Sequence, residues 1–341
     1  MDDVERTDRS GAGVRPALPE TRIEELSTTM RITTPLAIDR TLTLDVAGSR
    51  QRVRLCAART GLPPLLVVQG GPALPLLHEV PRFQRLLKLE EDFLVLYWDQ
   101  RGCGDAAKTD ASGVSWQQQI DDLRTVLAWF HGETKQRVTM LGISIGATLA
   151  LRAAEHESAR VKAILGVSPD LQTTRSDEVA AMFLREQARR DGNRLSRRVA
   201  KLQPPPYVDP AAFQARARLL ADLGTIEYGK TFRAQVRQTL IGMVGAYGVV
   251  GTVKALRNMT LVLRRMLPEI VPLNLFDNPS RVAVPVHCVF GEQDALTSAE
   301  MAERLPAAIA APACTAVRVP NAGHMVHFDR PDVVRSIARN V

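Results

Sequence analysis

The chain has no run of about 18 consecutive apolar residues, so no membrane-spanning helix is expected. Residues 1–30 mix acidic, basic and polar types and lack the apolar stretch of a secretory leader, which makes the cytoplasm the expected compartment. Cysteine is scarce. Cys56, Cys103, Cys288 and Cys314 show no Cys-x-x-Cys spacing and no nearby histidines of metal-ligand type, so no metal site is expected and they read as small buried apolar residues. Cys103 alone falls in a loop pattern, where an exposed thiol would be reactive. The net charge of +7 comes with no recognisable nucleic-acid module. Its densest groups, at 185–198 and 257–265, interleave arginines with apolar residues in helix-like segments. Solvated helix faces account for them, and neither nucleic acid nor membrane is expected as a partner. What the chain does have is bulk: 341 residues, 45% of them hydrophobic, are enough for one large domain or a domain carrying an inserted lobe.

The most informative stretch is 138–155. An apolar β-like run is followed by the turn Gly142-Ile143-Ser144-Ile145-Gly146 and then by an Ala/Leu-rich helical run. A serine hydroxyl attacks a carbonyl only if it is held clear of its own backbone, and a tight strand-to-helix turn does this. Gly142 and Gly146 flank the serine where side chains would collide with the crossing strand and helix, and the helix N-terminus favours developing negative charge. The plain alternative is a glycine-bounded loop with a surface serine.

A nucleophilic serine requires a base and an acid that orients the base. The strand-like run 284–290 leads into Gly291-Glu292-Gln293-Asp294, and the run 314–319 leads into Pro320-Asn321-Ala322-Gly323-His324. The resulting order Ser144, Asp294, His324 is that of the α/β-hydrolases and differs from the chymotrypsin and subtilisin orders. His327 competes for the role of base and Asp170, after another strand-like run, for that of acid; the residue directly after the glycine favours His324. The backbone N–H groups of Gly71, in the turn after the apolar run 65–68, and of Ile145 are the candidate oxyanion donors.

Strand-like segments at 41–46 and 52–56 suggest an opening hairpin, and the apolar runs 65–68 and 93–97 read as strands buried on both faces of a parallel sheet. Helical spacing at 78–90 and 116–131 alternates with them, which predicts a doubly wound α/β sheet. From about 171 to 278 the alternation gives way to helices, punctuated by Pro204, Pro205, Pro206 and Pro210. The expected organisation is a flexible extension (1–37), a first core segment (38–170), a helical cap (171–278) and a second core segment (279–341). The apolar residues of 240–267 would pack on the core and, on another face, line a pocket for a partly apolar substrate.

Gln69-Gly70-Gly71-Pro72-Ala73, the stretch Trp98-Asp99-Gln100-Arg101-Gly102, the serine turn, Gly291 to Asp294 and Gly323-His324 together resemble the proline iminopeptidase-like branch of the α/β-hydrolase fold, from about residue 38 to the C-terminus. The resemblance implies a mostly parallel sheet with an inserted helical cap, no metal or organic cofactor, and loop-bracing roles for Asp99 and Arg101. Two departures stand out: these peptidases carry His-Gly-Gly-Pro-Gly where this chain has Gln69 and Ala73, and Trp after the serine where it has Ile145. They also hold a free amine with acidic cap residues, and Glu178, Glu186 and Glu227 fall in that region. The first expectation is therefore a serine hydrolase acting on an ester, lactone or amide of a small, partly apolar molecule. The second is an aminopeptidase acting on a short peptide, and the third a ligand-binding homologue without turnover. Oligomeric state is open.

Overall fold

The computed structural model describes residues 23–26 and 35–341 except 73, 107, 192, 298 and 299. Most of the expected N-terminal extension, 1–22 and 27–34, lies outside the described residues. Four of its residues form strand β1 (Ile23–Leu26), which pairs antiparallel with β2 (Ile38–Val46). β2 turns into β3 (Ser49–Ala57) through Ala47 and Gly48, both at positive φ (49° and 75°), the geometry of a tight hairpin whose twist suits its strands. Then come β4 (Pro64–Val68), α1 (Val80–Leu86), β5 (Leu94–Trp98), α2 (Lys108–Gly113), α3 (Trp116–Thr134), β6 (Val138–Ile143), α4 (Ile145–Ala154) and β7 (Val161–Val167). A helical insertion follows: α5 (Thr173–Asp191), α6 (Asn193–Val199), α7 (Pro210–Asp222) and α8 (Phe232–Ile270). The chain returns through β8 (Ser280–Arg281), β9 (Val286–Gly291), α9 (Glu300–Ala308), β10 (Ile309–Ala310), β11 (Cys314–Val319), α10 (Val326–Asp329) and α11 (Pro331–Arg339).

Among the described residues, nine strands make one sheet in the order β1-β2-β3-β5-β4-β6-β7-β9-β11. The pairs from β1 to β5 are antiparallel, and every pair from β5 to β11 is parallel. Residues of β4 alternate between two cores: Leu66 and Val68 face the side covered by α3, α4 and α9, whereas Leu65 and Val67 face the side covered by α1 and α11. That two-sided burial is why 65–68 reads as an unbroken apolar run and 138–143 as one interrupted only by Thr139 and Gly142. The chain passes from β4 outward to β5 and then back across to β6. Loops at the carboxyl ends of β4 and β6 therefore diverge, opening a crevice where this class of sheet places its ligands.

The helix expected over 78–90 is shorter than its periodicity suggests. Pro81 sits in the first turn of α1, Lys88 takes a left-handed φ of 51°, and single 3-10 turns flank the helix at Leu77–Glu79 and Leu89–Glu91. α8 departs the other way: it spans 39 residues with a stretch of mean hydropathy 1.5, enough by length and composition to cross a membrane. It is not a straight rod. Gly248, at φ 66° and ψ 179°, occupies a region essentially confined to glycine and divides α8 into two arms, 232–247 and 249–270. Met243, Tyr247, Ala255, Val262 and Met266 bury the inner faces of both arms.

Candidate active site

β6 leads directly into Ser144, and α4 begins with the next residue. Ser144 has φ 52° and ψ −128°, a strained conformation for a residue with a side chain and the one that lifts a hydroxyl clear of a strand-to-helix turn. The strain is held by a bond from the Ser144 N–H to the Val167 carbonyl (2.8 Å) and by one from the Ala147 N–H to the Ser144 carbonyl (2.9 Å). A Cβ at Gly146 would strike the carbonyl oxygens of Val68 and Gln69, and one at Gly142 would strike the backbone of Ala147. The two glycines thus let β4, β6 and α4 cross at the serine.

Asp294 and His324 follow the parallel neighbours β9 and β11, so one sheet edge delivers both. Their loops meet backbone to backbone, because a Cβ at Gly291 would collide with the carbonyls of Ala322 and Gly323. Gln293 N–H donates to the Ala322 carbonyl and Ala322 N–H to Gln293 Oε1, both at 3.0 Å. In this frame His324 Nδ1 donates to Asp294 Oδ2 at 2.9 Å. Thr297 Oγ1 donates to the same oxygen at 2.6 Å, and the N–H groups of Leu296 and Thr297 donate to Oδ1 at 2.8 and 3.0 Å. Burial opposes the charge on Asp294, but the facing His324, its hydrogen bond and those from Thr297 outweigh burial and hold the carboxyl below its usual range. With a carboxylate on Nδ1, that nitrogen carries the proton and Nε2 is left as the free base.

The second link is open in this structure: Ser144 Oγ makes no hydrogen bond to His324, although both residues line one cavity. Bonds of this kind tighten when substrate is in place. Gly71 and Ile145 line the same cavity. Ile145 is the first residue of α4, so its N–H has no acceptor within the helix. Gln100 Nε2 donates to the Gln69 carbonyl at 3.1 Å and braces the turn that carries Gly71.

The competing candidates have other partners. Asp170 accepts from Ser176 Oγ at 2.9 Å and has no bond to His324. His327 is buried and stacked on Phe83 at 5.4 Å, and its Nδ1 has no hydrogen-bond partner. Burial first, then the charges of Arg82 and His324, hold His327 well below the usual imidazole value. It therefore stays neutral in the fold but takes a proton on unfolding below about pH 6.5, and stability falls with pH by up to about 1.4 kcal/mol per unit. Between about pH 7.5 and 5.5, the stability lost by His327→Phe should be smaller than wild type by at least about 1 kcal/mol in urea denaturation. An unchanged slope would mean that the ring is protonated in the folded protein.

Several contributors were not foreseen from sequence. Thr297 is one; its Asp-x-x-Thr spacing from Asp294 resembles a cap and is a retrievable signal. Another is the segment between α7 and α8: the N–H groups of His324 and Met325 donate to the carbonyls of Thr225 (2.9 Å) and Ile226 (2.8 Å). Asp99 and Arg101 brace loops as the sequence suggested. Asp99 accepts from the Leu76 and Leu77 N–H groups and from Tyr247 Oη (2.7 Å), and Arg101 Nε donates to Asp122 at 2.6 Å.

The cavity has a volume of about 570 Å³ and mostly apolar walls, with Phe213, Val236, Met243, Met259 and Leu263 contributed by the insertion. Among the described lining residues Asp170 is the single carboxylate. None of the three glutamates considered as amine anchors lines it. Glu178 pairs with Arg175 and Glu186 with Arg189 and Arg190 on the surface, whereas Glu227 is buried against Arg82 and Lys230. Cys103 is buried, which raises its thiol far above the reactive range. Among the described residues no three His, Cys, Asp or Glu side chains are grouped to hold a metal ion.

A model of the Alpha/beta hydrolase family matches residues 65–337, so the chain belongs to that family. It is 23% identical over 297 residues to probable aminopeptidase YbaC of Bacillus subtilis (strain 168), covering 85% of this chain and 92% of that one. Among solved structures, a proline iminopeptidase-related protein of Thermus thermophilus superposes with a TM-score of 0.59 at 19% identity, over 89% of this chain and 96% of that one. An N-acyl homoserine lactone degrading enzyme, Est816, superposes with a TM-score of 0.57 at 19% identity, over 87% and 99% of the two chains. At these identities the superpositions speak for a common fold.

Proposed function

We propose that the protein is a serine hydrolase that cleaves an ester, lactone or amide of a small, partly apolar acyl compound. The observation that carries the reading is the Asp294–His324 pair opening, together with Ser144 on its strained turn, onto an apolar cavity. His324 Nε2 takes the Ser144 proton as Oγ adds to the substrate carbonyl. The N–H groups of Gly71 and Ile145 receive the oxyanion, and the imidazolium returns the proton to the leaving group. Water then attacks the acyl-enzyme with His324 as base again. Each oxyanion donor is worth about 3 kcal/mol in the transition state. The helical insertion acts as the cap that excludes water and supplies the apolar walls.

The relative named as a probable aminopeptidase keeps a second reading in play. An aminopeptidase holds the substrate's ammonium against a carboxylate, and the cavity's described candidate is Asp170. Burial raises the Asp170 carboxyl, with the Ser176 and Thr173 bonds only partly opposing this, so it is a poor counter-ion for an amine. The ester reading is favoured for that reason. A panel of p-nitrophenyl esters of two to eight acyl carbons, run against proline and alanine arylamides, separates the two. The expected result is kcat/KM at least about tenfold higher for the better esters than for any arylamide. Preference for an arylamide with a free amine would reverse the assignment.

A further inference from the structure

The outer surface of α8 contradicts the usual rule for a helix on a water-soluble molecule. Its inner face is buried, yet Ile241, Val249, Val250 and Val253 project outward at 64–71% exposure around the Gly248 break. Leu240 and Leu256, one on each arm, belong both to this exposed patch and to the cavity lining. The apolar surface is therefore continuous with the apolar interior that holds Ser144.

Within α8 the charge bordering the patch has one sign, while the neighbouring Asp105 is paired with Arg52. Arg233 and Arg237 stand before it, and Lys254, Arg257, Arg264 and Arg265 lie within or after it; residues 232–268 contain no Asp or Glu. All six are exposed and, among the described residues, none is paired with a carboxylate. Elsewhere in the insertion arginines do find partners, as in Arg175–Glu178 (3.3 Å) and Arg198–Asp222 (2.7 Å). An apolar strip edged by unpaired cations matches a bilayer with anionic headgroups: side chains enter the acyl boundary while the cations meet phosphates. A second copy of this chain fits it worse, because a two-fold contact would bring the cationic edges together with no acid in the segment to offset them.

The geometry points to α8 as a membrane-surface anchor that seats the two arms in an anionic lipid leaflet, with the cavity mouth at the lipid boundary. This differs from a spanning helix, which the break at Gly248 and the buried inner faces oppose, and it revises the expectation of no membrane partner. Passage of an amphiphilic acyl substrate from the leaflet to Ser144 rests on the serine hydrolase reading, whereas docking itself does not.

The test uses the full chain as Ser144→Ala, so that binding is read without turnover. Co-sedimentation is measured with vesicles of equal parts phosphatidylcholine and phosphatidylglycerol, and with phosphatidylcholine alone. Binding to the anionic vesicles is expected, with a loss of at least about tenfold in V250D/V253D and in R237E/K254E. Val250 and Val253 do not line the cavity, so in the Ser144 background V250D/V253D should hydrolyse a water-soluble ester at the parent rate, which also certifies its fold. Failure of the parent to bind anionic vesicles, or equal binding by V250D/V253D, would overturn the proposal. So would light scattering that shows a dimer which V250D/V253D dissociates, since the patch would then be an interface between copies. Because binding is scored in a chain without the nucleophile, loss of the hydrolase reading would leave the docking result standing.

Discussion

Ser144→Ala should lower kcat by roughly 10⁵–10⁶-fold on the best substrate while leaving the free energy of unfolding within about 1 kcal/mol of wild type. The size of the effect follows from losing the acyl-enzyme altogether. What remains is whatever Gly71, Ile145 and substrate positioning contribute to direct attack by water. The small effect on stability has a separate origin: alanine keeps the Cβ and with it the strained φ of 52°, while truncation removes a hydroxyl that has no hydrogen bond to His324 to lose. A fluorophosphonate probe should label wild type at Ser144 and leave the variant untouched. Wild type that neither turns over any ester or arylamide nor reacts with the probe would instead be a ligand-binding member of the family.

Asp294→Asn should cost roughly 10⁴-fold in kcat with a small change in KM. An amide beside Nδ1 presents an N–H where the imidazole now donates, which drives the proton to Nε2 and removes the base. In that orientation Oδ1 still accepts from the Leu296 and Thr297 N–H groups, but the charge-assisted bonds that Oδ2 accepts from Thr297 Oγ1 and His324 are lost. A pH signature accompanies this. The Asp294 carboxyl is depressed in the fold, so its contribution to stability is complete above the ordinary carboxylate pKa and is lost as pH falls through the depressed value. Asp294→Asn should therefore be destabilised at neutral pH and converge on wild type in acid. Asp170→Asn is the control: its bond is to Ser176, and kcat should stay within about fivefold of wild type. A larger loss in Asp170→Asn than in Asp294→Asn would exchange their roles.

The legible parts of this fold are those where one local rule decides the residue. Strands such as 65–68 and 138–143 sit between two layers, so nearly every position is apolar, Thr139 excepted, and the run stands out. The serine turn is visible because three chain segments cross there and admit only glycine at 142 and 146. Asp294 and His324 are legible as candidates because each follows a strand and a glycine, and those glycines are required where the two loops touch. The remainder depends on approaches between distant segments. Nothing local to Thr225 or Ile226 announces that their carbonyls will hold the His324 loop, and nothing around Glu227 distinguishes a buried partner of Arg82 from a solvated helix charge. The apolar content of 240–267 was plain, but periodicity alone did not separate buried from exposed faces once Gly248 reset the phase between the arms.

On the serine hydrolase reading proposed above, the two main-chain bonds from His324 and Met325 to Thr225 and Ile226 limit how substrate would reach Ser144. The insertion is stitched at one corner to the loop of the proposed base, so lifting it there would tilt the His324 imidazole off Asp294. Under that reading entry would cost less away from the seam, beside Leu240 and Leu256, which are both partly exposed and part of the cavity wall. The imidazole would then keep its alignment on Asp294 while substrate passes.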